Sequence, residues 1–174
     1  MFSLLQRIKL ALEPAKLTDP SEEPWRTIVQ YWRRSGITIR PGVSMAEVEA
    51  FQAKYGVAVP ADVLAYLLTV DGNSDGETDD ELIRFWPFGE IVPVHKELDE
   101  QAGAIYPDHF AYPDCFVFAD YLIESWLYVV KLTADPEQPA PVYRVTADGS
   151  AGDQMSASFR EFMENYAAKP SSVV

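Results

Sequence analysis

A chain of 174 residues, 48% hydrophobic and 13% aromatic, can bury one full core, which excludes a disordered protein. Its single cysteine, Cys115, excludes a disulfide framework and a cysteine metal cluster, and suits a cytoplasmic protein. The formal charge is −13, and a net negative field argues against direct nucleic-acid binding, because it repels phosphate backbones.

In chain order, Phe2, Leu4, Leu5, Ile8 and Leu12 trace a short amphipathic helix that Pro14 ends. Arg7 and Lys9 interrupt its apolar run, so it is neither a signal-peptide core nor a membrane span. Docking on its own domain is expected, with contact to a membrane or a partner as the alternative. Leu17 to Pro24 reads as a linker. Trp25, Ile28, Val29 and Trp32 then share one helical face, and Gly36 closes that helix. Residues 1–42 are expected to form an N-terminal helical extension on a domain of residues 43–169, with 170–174 as a frayed tail.

The strongest local signals follow. Ser44 and Glu47 form a capping box for a helix carrying Met45, Val48, Phe51 and Tyr55, and Gly56 stops it. After Val57-Ala58-Val59, Pro60 and Asp62 open a second helix through Val63, Leu64, Tyr66, Leu67, Leu68 and Val70. This helix is apolar over more than half its circumference, so it is expected to be the more buried of the two, and Asp71-Gly72 ends it. Beyond an acidic loop, Leu82 to Pro87 reads as a strand. Pro93 opens a helix with Val94 and Leu98 inward. Strands are expected over Cys115–Asp120, 125–132 and 141–146. Ser158 and Glu161 announce a closing helix with Phe159, Phe162, Met163 and Tyr166 on one face. The predicted class is α+β, with an antiparallel sheet of about five strands and the helices mainly on one face.

The order of these pieces resembles the SUKH superfamily, the Smi/Knr family. The carriers are the capped helix ending Tyr55-Gly56, Val59-Pro60-Ala61-Asp62, Asp71-Gly72-Asn73, the Phe85 to Ile91 segment, Phe118-Ala119-Asp120 and Ser158-Phe159. Glu47 and Glu49 stand two apart, which departs from the family's glutamate spacing. The resemblance covers residues 43–167. It implies a protein-binding module, in bacteria often an immunity protein that neutralises a nuclease or deaminase toxin, and in fungi a regulatory or scaffolding module.

Charge is concentrated in the middle of the chain. Residues 1–43 hold seven Lys and Arg against four Asp and Glu, whereas residues 71–124 hold two against fourteen. Such a field attracts basic proteins or metal ions, although an acidic surface that merely confers solubility is the plainer alternative. Asp71, Asp75, Glu77, Asp79, Asp80 and Glu81 are the candidate contacts for a basic toxin, with Trp86 as an anchor if exposed. Residues 71–82 also approach an EF-hand loop, but Leu82 occupies the position of the bidentate glutamate and a strand follows. His95 and His109 read as surface residues and Cys115 as a core filler. With no phosphate loop, histidine pair or nucleophile motif, no catalysis and no cofactor are expected.

Overall fold

The computed structural model describes residues 23–74, 76–102, 114–146 and 153–174, without the side chains of 99–102. The helix expected at residues 2–12, most of the linker, Asp75 and His109 lie outside the described residues. Within them, five α-helices and six strands alternate as α1 (Trp25–Arg34), α2 (Met45–Tyr55), α3 (Ala61–Thr69), β1 (Ile83–Phe85), β2 (Val92–Pro93), α4 (Val94–Ala102), β3 (Cys115–Tyr121), β4 (Trp126–Lys131), β5 (Val142–Thr146), β6 (Gln154–Ser156) and α5 (Phe159–Ala168). The chain is an α+β protein with one antiparallel sheet in the order β1-β3-β4-β5-β6, and β2 pairs with β3 beyond the end of β1. The sheet has six strands, close to the about five expected. The two that the sequence pattern does not mark as strands, β2 and β6, are two and three residues long, too short to show a period.

The helix ends are built as the capping residues dictate. Ser44 Oγ accepts the Glu47 amide and the Glu47 carboxylate accepts the Ser44 amide, while Gly56 adopts the left-handed conformation at φ 68°. Ser158 Oγ accepts the Glu161 amide, but the Glu161 carboxylate reaches one residue further back, to the Ala157 amide at 2.8 Å. Buried residues number two on α2 and five on α3, in the order that their sequence patterns predict. Met45 is 42% exposed, so the apolar stripe of α2 begins at Val48.

Helices α1, α2, α3 and α5 cover one sheet face, where an aromatic core runs from Trp25 and Trp32 through Phe51, Tyr66, Phe85, Phe116 and Phe118 to Phe159, Phe162 and Tyr166. The aromatic rings meet tilted or edge-on, such as Phe118 and Phe162 at 5.5 Å and 90°, the arrangement that ring quadrupoles favour. This core is tight. Its cavity measures about 20 Å³, room for one water at most. The opposite face carries a smaller cluster of Trp86, Val94, Leu98, Cys115, Val117, Leu127, Val129 and Val145 beneath α4.

A register shift between Val117 and Ala119 joins the two faces. Phe116, Phe118 and then Ala119 and Tyr121 all serve the large core, so the bulge reverses the inward-outward alternation of β3. Its consequence is that Asp120 turns to the smaller face, beside Trp86.

Helix α1, in the expected N-terminal extension, packs on the core: Trp25, Ile28, Val29 and Trp32 are all buried and the Trp32 indole N–H donates to the Tyr166 hydroxyl at 2.7 Å. The tail, expected to fray, is ordered: Pro170–Ser172 forms a 3₁₀ turn, Val173 is 3% exposed, and its carbonyl accepts the Tyr128 hydroxyl proton at 2.6 Å.

Candidate interaction surface

The acidic loop between α3 and β1 is held at several points. Gly72 lies so close to β1 that a Cβ would stand 2.5 Å from the carbonyl carbon and oxygen of Trp86, and its φ is +57°, so only glycine fits there. Asp71 accepts from Arg40 at 2.7 Å and from the Phe88 amide at 2.6 Å. Glu77 accepts from the Thr38 hydroxyl and amide, and those bonds hold its carboxyl below the usual carboxylate range. Asp79 is 3% exposed. Its Oδ1 accepts the Glu81 and Ile83 amides, at 2.9 and 2.8 Å, and its Oδ2 accepts the Tyr166 hydroxyl proton at 2.6 Å. Burial raises the Asp79 carboxyl above its ordinary value, an effect that the Tyr166 bond partly offsets.

The loop therefore sorts its own carboxylates. Asp71, Glu77 and Asp79 hold the fold, whereas Asp80 is exposed and Glu81 half-exposed. A contact role for Asp79 is corrected by its burial. The EF-hand pattern fares no better, because Asp71 and Asp79 turn to different partners rather than to a shared centre. Among the described residues, no cluster of His, Cys, Asp and Glu could hold a metal ion.

The anchor role for Trp86 depended on exposure, and Trp86 is 5% exposed. Its indole N–H donates to Asp120 Oδ2 at 2.6 Å. Trp86 instead forms a wall of an open pocket of about 460 Å³ reached by both α2 and α4, lined also by Lys54, Tyr55, Arg84, Glu90, Val92, Lys96, Glu97 and Glu124. Arg84 pairs with Glu90 and lies 5.8 Å from the Trp86 ring. Burial raises the Glu124 carboxyl, with further contributions from Glu97 and Asp120. Basic and acidic side chains are balanced in this pocket, so it does not extend the acidic surface.

His95 is exposed. Cys115 is fully buried and burial pushes its thiol up to about 12, which keeps it protonated and unreactive at neutral pH. The connection expected between the strands at Cys115–Asp120 and 125–132 is the turn between β3 and β4. What the sequence did not mark is its exposure: Leu122 is 45% and Ile123 90% exposed, because their place at a chain reversal turns two aliphatic side chains outward.

The pattern carried by the capped α2, the Pro60 entry to α3 and the glycine approach at 72 has a direct counterpart. Residues 42–165 match the SMI1 / KNR4 family (SUKH-1). The chain belongs to this family. No curated protein matches it significantly. The match begins after α1, so this SUKH member adds to the matched region a helix that its own core requires. Among the described residues no helix is long and apolar enough to cross a membrane.

Proposed function

We propose that this SUKH-family chain is a non-enzymatic protein-binding domain of the immunity type, one that neutralises a basic bacterial toxin of the nuclease or deaminase class in the cytoplasm. The observation that carries this reading is the acidic stretch of residues 71–124, with fourteen acids and two bases. A toxin that acts on nucleic acid needs a basic cleft, and an acidic inhibitor can cover it by presenting charge where phosphates would sit. Asp80 and Glu81, exposed and half-exposed, are the loop carboxylates best disposed for such contact. Asp71 and Glu77 contribute by fixing the loop. Asp75 belongs with the proposed contacts by its sequence position.

A pull-down from the source cell with the full chain tests this reading. A single basic protein, released as salt rises and lethal when expressed without this chain, is the expected result. Retention of ordinary cytoplasmic proteins with no toxic activity would instead favour a regulatory or scaffolding module. Trp25 and Trp32 in the N-terminal extension are both buried, so neither is free to dock on another protein in that role.

A further inference from the structure

Among the described residues, four non-glycine positions have left-handed backbone: Leu82 (φ 64°), Leu122 (φ 48°), Ile123 (φ 53°) and Glu124 (φ 63°). All four meet at one corner, where the acidic loop enters β1 beside the β3–β4 turn. The Leu122 amide donates to the Leu82 carbonyl at 3.0 Å, and the next residues, Ile83 and Tyr121, are paired across the strands. Left-handed backbone is unfavourable for any residue with a Cβ and most so for a β-branched one such as Ile123. Turns usually place Gly, Asn or Asp there. This turn places Leu-Ile-Glu.

The same residues are exposed. Ile123 at 90%, Leu122 at 45% and Leu82 at 44% form an apolar patch at the end of the sheet. The backbone beneath is held in place. Asp120 Oδ1 accepts the Glu124 amide at 3.2 Å while Oδ2 accepts the Trp86 indole N–H. The Ser125 amide donates to the Tyr121 carbonyl at 2.9 Å, and the Ser125 hydroxyl to the Leu122 carbonyl at 2.9 Å. Carboxylates border the patch, since Asp80 and Glu81 directly precede Leu82 and Glu124 directly follows Ile123. The arginines in this region are engaged, Arg84 with Glu90 and Arg144 with Asp153.

We propose that this corner is the contact surface for the basic partner, with Leu122 and Ile123 entering an apolar recess whose lysine and arginine rim meets Asp80, Glu81 and Glu124. The inference rests on the immunity reading and assigns it a face. Strained, fixed backbone that presents apolar side chains to water does nothing for the free protein, whereas a preorganised protrusion loses little freedom on binding. An apolar centre inside a charged rim is the usual anatomy of a protein contact.

Its test uses the full chain in the source cell, with a benzophenone amino acid at position 123 or, as a control, at Glu137. Glu137 is exposed and lies in the loop that follows β4, at the opposite end of that strand from the turn. Irradiation should link position 123, and not 137, to the same basic protein that the wild-type chain retains at low salt. Ile123→Asp should weaken that protein's affinity at least about 10-fold with a melting temperature no lower than wild type, since Asp accepts left-handed backbone better than Ile. Ile123→Gly, which relieves the left-handed strain, should raise the melting temperature and still weaken binding. Unchanged affinity in both variants would overturn this face and leave the immunity reading standing. A wild-type chain that retains no basic protein would overturn both. Adducts between two copies of the chain would reassign the corner to self-association and overturn the proposal.

Discussion

Tyr166 connects three distant segments through one hydroxyl, which accepts from Trp32 at 2.7 Å and donates to Asp79 at 2.6 Å. Replacing it with phenylalanine strands a buried indole N–H and a buried carboxylate oxygen together. Tyr166→Phe is therefore expected to cost about 2–4 kcal/mol by urea unfolding, and Trp32→Phe should add less in that background than alone. Asp79 has a pH signature. Its folded carboxyl is raised by burial, so the folded state holds this proton more tightly than the unfolded one. The resulting stability is fully present below the unfolded value, about pH 3.9, and is lost as pH rises through the folded value. Wild type should thus gain stability over Asp79→Asn as pH falls from 6 toward 4, as paired thermal melts would reveal. An opposite slope would mean that the hydrogen bonds outweigh desolvation.

At the scale of elements, the first helix of the matched region depends on its cap. Ser44→Ala removes the acceptor for the Glu47 amide and should destabilise by about 1 kcal/mol, measurable as a lower urea midpoint at constant slope. The C-terminal turn makes a larger contribution. Removing Val173 and Val174 exposes apolar surface on the main core and leaves the buried Tyr128 hydroxyl without its acceptor. The expected cost is about 2–4 kcal/mol, seen as a lowered melting temperature, whereas a frayed tail would leave it unchanged. The bulge in β3 shows how one element serves two faces. Without it Asp120 would point into the aromatic core, and both the Trp86 bond and the support beneath Glu124 would be lost.

For the whole molecule the governing quantity is the unequal spread of charge. The proposed basic partner would be drawn to the acidic region at long range, so its association rate should fall by about one order of magnitude or more between low and high salt. Stopped-flow association rates of the wild-type chain and of an Asp80→Lys, Glu81→Lys variant would check this. The variant should associate more slowly at low salt and approach wild type at high salt. Equal rates at low salt would place the steering charge elsewhere. Deep binding of a small molecule is disfavoured by the interior, whose cavity is only about 20 Å³.

Sequence by itself determined the helices, because caps, breakers and apolar spacing act within a few residues. Ser44 with Glu47, Gly56, Pro60 and the aromatic run of α5 are all readable in place, and so is the family they spell. It also determined that the middle of the chain is acidic. Only the tertiary structure decided which acids face outward, since Asp79 differs from Asp80 by a partner 87 residues away. The short strands β2 and β6 exist through pairing, not through any pattern of their own. Burial of Trp86 depends on Asp120, and the apolar corner joins Leu82 to Leu122 across the sheet. Each of these is a contact between residues far apart in the chain, and such contacts leave no local mark because either residue alone would be equally at home elsewhere.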